Sequence, residues 1–397
     1  MRTLNRISVL EIVGNADGGG TKCVSRIVRN LDPARFELSV ISPDSPWLAR
    51  VCAERDAHYQ PLPIFSSRIN QKTYRDLAGI LQEMRPDIIS AHGTRAAWYT
   101  LRALRQSLYR PPVLYSEHLF SFDARAGAAR LPWLAIERYI CRHVDALATG
   151  CDANARFAES HGWIAPDRVV MRHYGVELED FVAQAQQRTP RAELGIPPQA
   201  PVIGTVGRLI PQKGIRYLLD AMVMVCAAHP DALLLIVGDG ESRADLETYS
   251  QTCGLADRVR FLGASAQPWT ALANCDVIAF SSLFEGMQQT CLEALAIGAP
   301  TVVTTMKGPI EYVRSGESGI LVPPRDAQSL ADGILRLLND PALRQRLALA
   351  GPEAVREYRT DWMIERYRLA YERLYRERAT AGADARQAAG ALTRQAR

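Results

Sequence analysis

At 397 residues the chain is longer than one hydrophobic core ordinarily organises, so two domains are expected. A net charge of +4, with 23% charged and 47% hydrophobic residues, describes an ordinary globular protein and gives no ground for a nucleic-acid partner. No apolar run reaches the roughly 18 residues of a membrane span, and MRTLNRISVLEIVG lacks the apolar length and small-residue cleavage site of a secretory signal, which together predict a cytoplasmic protein. The eight cysteines include no C-x-x-C pair and sit mostly in apolar contexts, as small core residues in a reducing compartment do. Lysine occurs only at 22, 72, 213 and 307, so each one stands out against the many arginines.

In chain order, ISVLEIVG (7–14) is a first strand, NADGGGTK a glycine-rich turn and CVSRIVRNL (23–31) a helix. Strand FELSVIS (36–42), helix YRDLAGILQEM (74–84), strand DIISAH (87–92), helix 95–108, strand PVLYSEH (112–118), helix IERYICRHV and strand DALATG (145–150) follow. Strands separated by helices of this length predict right-handed βαβ units and a parallel sheet. The polar, proline-rich segment 179–200 reads as a linker between a first domain, 1–178, and a second, 201–360. In the second the alternation restarts, with strands at 201–209, 231–240, 258–263, 276–282, 300–305 and 319–324. A long amphipathic helix, 361–378, comes last, and the Ala/Gly/Gln-rich tail 379–397 is expected to be disordered. Two doubly wound sheets bind ligands outside the carboxyl ends of their strands, so a cleft between the domains is the expected site.

The motifs lie at those strand ends. In SSLFEGMQQTCLEALAIGAPTVV (281–303), Glu285 falls just after a strand and Glu293 on the second turn of the next helix. Carboxylates there suit the paired hydroxyls of a ribose or a sugar, although a surface Glu and a helix-stabilising Glu fit the same pattern. In GRLIPQKG (207–214), Arg208 and Lys213 stand between a strand and a helix N-terminus, an arrangement suited to a diphosphate; a solvated loop with two ordinary charges is the alternative. GNADGGGTK (14–22) satisfies neither the Walker A nor the G-x-G-x-x-G pattern and remains a turn that lets backbone approach a ligand, or simply a tight turn. His92 and His118 end two first-domain strands; neither has metal-ligand spacing to a second histidine, and Glu117 is positioned to tune His118. Residues 95–142 carry eight arginines against three acids, interleaved with aromatics, which fits either an anionic lipid surface or solvated helix faces.

Taken together, GRLIPQKG, LLIVGDG, RVRFLG, SSLFEGMQQTCLEALAIGAPTVVT and ESGILVPPRD resemble the family-4 retaining glycosyltransferases, and YGVELEDF resembles that family's linker motif. The resemblance is strongest over about 200–340. It implies the GT-B fold, two Rossmann-like α/β domains facing a cleft, with the last helix returning to the first domain. It implies that Glu293 binds the nucleotide ribose, Glu285 the donor sugar, and Arg208 and Lys213 the diphosphate. His118 matches a histidine near the transferred sugar, and Gly18, Gly19 and Gly20 match a loop near the diphosphate and acceptor. Gly207, Gly263, Gly286, Met287, Gln288, Gln289 and Thr290 complete the implied donor site. The sequence departs from the family at Met287-Gln288, at Lys307, and at Tyr174 and Glu177 of the linker motif.

The implied activity is a metal-independent retaining transfer from a nucleotide-diphosphate sugar, a UDP-sugar by preference, to a glycan or lipid-linked saccharide acceptor in surface polysaccharide synthesis. No cofactor and no metal are expected, and peripheral contact with the inner membrane is the reading of the arginine-rich region. A sugar-nucleotide epimerase of the same fold, a dinucleotide-dependent oxidoreductase and a non-catalytic binding protein are the alternatives.

Overall fold

The computed structural model describes residues 6–16, 18–63, 71–107 and 109–395, with side chains to 380. Two units result, one made of Met1–Tyr174 with Asp361–Arg397, the other of Gly175–Thr360.

The first unit is built on strands β1 (Ile7–Val13), β2 (Phe36–Ser42), β3 (His58–Pro61), β4 (Ile88–His92), β5 (Val113–Ser116), β6 (Ala146–Ala148) and β7 (Val169–Met171). They pair in parallel in the order β3-β2-β1-β4-β5-β6-β7, so the order reverses between β1 and β4. Helices cover the sheet, which is why β1, β4 and β5 are apolar almost without interruption and wholly or nearly buried. The sequence pattern does not disclose β3 or β7. β3 is a short, largely exposed edge strand, HYQP, without alternation, held by register with β2, and β7 is three residues long.

The last helix, Thr360–Gln395, belongs with this unit. Met363, Tyr367, Ala370, Tyr371 and Leu374 form its buried stripe, at helical spacing. Two tyrosines on the stripe reach the sheet: the Tyr371 hydroxyl donates to Glu11 Oε1 at 2.6 Å, and Tyr367 Oη lies 2.9 Å from Ser116 Oγ. The helix continues past 378 to Gln395, into the segment 379–397 expected to be disordered; Ala, Gln and Arg are strong helix formers.

The second unit contains β8 (Val202–Val206), β9 (Leu233–Val237), β10 (Val259–Gly263), β11 (Val277–Phe280), β12 (Thr301–Thr304) and β13 (Ile320–Val322). Their order, β10-β9-β8-β11-β12-β13, is again parallel and reverses between β8 and β11. The expected linker is not a free tether. A helix, Leu178–Gln186, occupies its first part, and beyond it Thr189 N donates to Thr270 O and Asn274 Nδ2 to Thr189 O, so the segment is fastened to this unit. The unit begins at Gly175 of the YGVELEDF motif, where a Cβ would meet Arg359 O at 2.1 Å. Val176 and Arg359 form a parallel bridge there, so the chain's two passages into and out of the unit run side by side, and only glycine allows that approach.

Candidate active site

In the second unit, the loops after β8 and β11 flank the reversal of strand order, the position where doubly wound sheets take ligands. They are stitched together by backbone and side chain. Leu283 N donates to Gln212 O at 2.8 Å, and Ser281 Oγ donates to Lys213 O at 3.0 Å. This brings Lys213 Nζ to 2.5 Å from Glu285 Oε1. Ser282 Oγ donates to the same oxygen at 3.1 Å, and Gln212 Nε2 donates to Glu285 Oε2 at 3.1 Å. The ammonium and carboxylate side chains keep 17% and 10% of their surface exposed, so the pair is largely desolvated yet open at one side. Arg208, two residues beyond β8, is exposed. Gly207 lies directly after β8, and Gly263 ends β10.

The helix that follows, Gln289–Ala296, places Glu293 on its second turn as expected. Glu293 is buried more deeply than a cleft-facing residue needs to be: Trp269 Nε1 donates to its Oε2 at 3.0 Å, and the indole is fully buried. The helix start holds Gly286, Met287, Gln288, Gln289 and Thr290. Gln288 is buried; its Nε2 donates to Ser282 Oγ at 3.3 Å, and its carbonyl accepts from Tyr312 Oη at 3.2 Å. Gln288 Oε1 and Thr290 Oγ1 are buried without a hydrogen-bond partner among the described residues. Buried polar atoms are ordinarily satisfied, so two unpaired ones at one helix N-terminus are an exception.

In the first unit, Gly18 precedes the helix Gly19–Asn30, which starts on the glycine-rich turn; Asp17 of that turn lies outside the described residues. A Cβ at Gly20 would come within 3.4 Å of the His118 ring, so the turn presses its backbone against that histidine. The opposite contact is Tyr174, whose ring stacks at 4.6 Å on His118 while its hydroxyl donates to Glu117 O at 2.7 Å. The linker position that departs from the family is thus a wall of this site.

Behind His118 runs a buried chain of polar groups. His92 Nδ1 lies 3.3 Å from His118 Nε2, and His92 Nε2 lies 2.7 Å from Glu11 Oε2. Burial alone would lower the His92 pKa, but hydrogen bonding with Cys23 and Glu11 outweighs it and lifts the group to about 9. Burial, reinforced by the charges of His92 and Arg26, holds His118 well below the ordinary imidazole value. The raised value favours the doubly protonated form of His92, in which one ring N–H faces Glu11 and the other faces Cys23 Sγ and His118 Nε2, while His118 is held toward its neutral form. Glu117 plays no direct part. Its carboxyl accepts from Asn154 Nδ2 at 3.2 Å and Gly150 N at 3.4 Å, and burial, with a contribution from Glu137, pushes it up to about 8.

The sequence motifs named both poles of the second-unit site but omitted Gln212, Ser282 and Trp269. The first two lie inside the quoted motifs, and the third is reached only through the fold. Glu11, in the middle of the apolar strand VLEIV, is a signal the sequence carried.

Two family profiles match the chain: one described as glycosyl transferase 4-like domain over residues 18–175, the other as glycosyl transferases group 1 over 186–354. A lipopolysaccharide core biosynthesis glycosyltransferase, LpsE of Rhizobium meliloti, is 27% identical over 85% of this chain and 91% of its own length. A UDP-Gal:alpha-D-GlcNAc-diphosphoundecaprenol alpha-1,3-galactosyltransferase of Escherichia coli is 26% identical over 69% of this chain and 72% of its own. Among solved structures, Anabaena HepE in complex with UDP shares the fold at TM-score 0.76 and 19% identity, covering 92% of this chain and 100% of that one. With the two profiles meeting the two units in order, and with the site loops at the strand reversals, the chain belongs to the family-4-like glycosyltransferases of GT-B fold.

Proposed function

We propose that this glycosyltransferase moves a sugar from a nucleotide-diphosphate donor, a UDP-sugar, to a saccharide acceptor carried on a glycan or a lipid diphosphate, with retention of anomeric configuration. The observation that carries the reading is the Lys213–Glu285 pair beside the unpaired Gln288 Oε1 and Thr290 Oγ1. Glu285, held by Lys213, Gln212 and Ser282, presents lone pairs to sugar hydroxyls. Lys213, Arg208 and the N-terminus of the helix Gln289–Ala296 offset the charge that develops on the diphosphate as the glycosidic bond breaks. Glu293, steadied by Trp269, takes the ribose hydroxyls through its remaining capacity to accept. His118, neutral and oriented from behind by His92, acts on the transferred sugar; this role rests on the family resemblance. The UDP-containing donor and the acceptor class are supported by the names of relatives, and retention by the family alone.

Leaving-group stabilisation by two cations and a helix N-terminus needs no metal for the transfer. Activity is therefore expected to persist in chelator, and NMR of the product should show the donor's anomeric configuration. Loss of activity in chelator restored by Mg²⁺ or Mn²⁺, or an inverted product, would refute these parts of the reading. Transfer to an acceptor, rather than release of an isomerised nucleotide-sugar, separates this reading from an epimerase.

A further inference from the structure

The polar chain behind His118 has a third member that the transfer does not use. Cys23, on the first turn and a half of the helix Gly19–Asn30, brings its sulfur next to His92 and His118, so that Cys23 Sγ and one nitrogen of each ring all lie within 4.8 Å of one another. These are the described residues that group closely enough to hold a metal ion. We propose that Cys23, His92 and His118 form a binding site for a borderline-soft divalent cation, Zn²⁺ in particular, and that an ion bound there inhibits the enzyme.

Four observations support the site. Its donors are a thiolate and two imidazoles, the set that selects zinc over magnesium or calcium. The His92 Nδ1–His118 Nε2 distance is 3.3 Å, and a tetrahedral ion with bonds of about 2.0 Å to nitrogen has a nitrogen–nitrogen edge of roughly that length. The second shell is already in place: Glu11 Oε2 accepts from the other nitrogen of His92 at 2.7 Å, the carboxylate–histidine support found behind metal-bound imidazoles. The sulfur is flanked in turn by Tyr367 Oη at 3.6 Å and Met363 Sδ at 3.9 Å. Finally, His118 is only partly buried, so the cluster is not sealed off from solvent.

Binding displaces two protons to solvent, one from the Cys23 thiol and one from His92 Nδ1, and joins sulfur and both nitrogens to the ion. It also immobilises His118 and takes its Nε2. Inhibition therefore rests on the reading of His118 given above, whereas binding does not.

The test is a Co²⁺ titration of the full-length, chelator-stripped protein, followed by absorption. Expected are thiolate-to-cobalt charge transfer and tetrahedral d–d bands saturating at about one ion per chain, both lost in Cys23→Ser. Cys23→Ala serves as a second variant should serine disturb the packing, and thermal unfolding confirms that the variant used is folded. Zn²⁺ should bleach the cobalt bands, stop sugar transfer by the wild type and leave transfer by the Cys23 variant running. Absence of the bands in the wild type, or their persistence in a folded Cys23 variant, would overturn the site; persistent bands would point to a partly exposed cysteine elsewhere, Cys226, Cys253 or Cys275. Bands that depend on Cys23 while transfer proceeds unhindered would confirm the site and remove His118 from the reaction.

Discussion

The two units carry charge at the same topological position in opposite ways. In the first, Glu11 and His92 have no exposed side-chain surface, and their partners come from across the chain, Tyr371 of the last helix among them. In the second, Lys213 and Glu285 remain partly exposed, and their partners lie within the two loops that carry them. A buried pair with saturated hydrogen bonding costs stability when one partner is lost, because the other is left desolvated and alone. A half-open pair can hand its charge to a ligand. The first arrangement fixes one histidine; the second leaves part of its charge open to solvent. Substitutions in the first unit's cluster should therefore be read in stability, and those in the second unit's loops in turnover.

The largest expected effect tests the second half of that contrast. Lys213→Ala should lower kcat by about 10²–10³, the scale of removing one preorganised donor from a developing negative charge. Arg208→Ala, at an exposed position, should do the same to a smaller degree. Thermal unfolding of both should stay near wild type. Near-normal turnover at saturating donor in both variants would remove the diphosphate role.

The complementary substitution is Tyr371→Phe. It leaves Glu11 Oε1 buried without its 2.6 Å donor, at a cost of about 1.5–3 kcal/mol, the range for hydrogen bonds to charged groups. Chemical denaturation should show this loss, with donor affinity unchanged. If unfolding were unaffected and donor binding weakened instead, the first unit's cluster would be serving the ligand directly and the contrast would fail.

Glu293→Gln should weaken binding of donor and of free nucleotide by roughly 1–3 kcal/mol. The variant separates two roles that the structure superimposes, since Trp269 can still donate to the amide oxygen. Unchanged calorimetric affinity for both ligands would leave Glu293 as a helix residue that satisfies an indole and nothing more.

The same contrast explains what could be read from the sequence. In the second unit the site is local: GRLIPQKG and SSLFEGMQQTCLEALAIG each hold residues that the fold merely sets side by side, so their grouping was legible from motif and strand order. The first unit's cluster joins Glu11, Cys23, His92, His118, Tyr174, Tyr367 and Tyr371, which lie on six separate stretches of the sequence, only Tyr367 and Tyr371 sharing a helical spacing, and only the parallel sheet and the returning helix bring them together. His92 and His118 lack metal-ligand spacing along the chain yet lie on neighbouring strand ends, because β4 and β5 are adjacent. Elements were missed where the periodic signal was too short, as in β3 and β7, or was overridden. In the helix Pro341–Val355 an internal Pro352 hides a segment that Asp340 caps by accepting from Leu343 N at 2.8 Å.

The smallest expected effect concerns the arginine-rich region 95–142, whose arginines enter neither cluster. Two of its three acids, Glu117 and Glu137, are buried, so they do not offset the arginines at the surface. Arg102 lies 5.5 Å over Trp98 and Arg105 5.9 Å over Tyr139, and both guanidinium groups stay exposed. No described helix is long and apolar enough to cross a membrane. If a lipid-linked acceptor is met at the inner membrane, these cations offer peripheral contact, each contributing about 1 kcal/mol near an anionic surface and screened over about 10 Å at 0.1 M salt. Co-sedimentation with phosphatidylglycerol vesicles should then fall as salt rises, and Arg102→Gln with Arg105→Gln should weaken it further. Donor binding should not change, because the donor residues proposed here lie on the loops after β8 and β11. Arg110 is a poorer choice for the test, since its guanidinium is already engaged by Leu104 O. If the wild type fails to bind such vesicles even at low salt, the stacked arginines are solvated helix faces, and the acceptor must reach the enzyme without help from this surface.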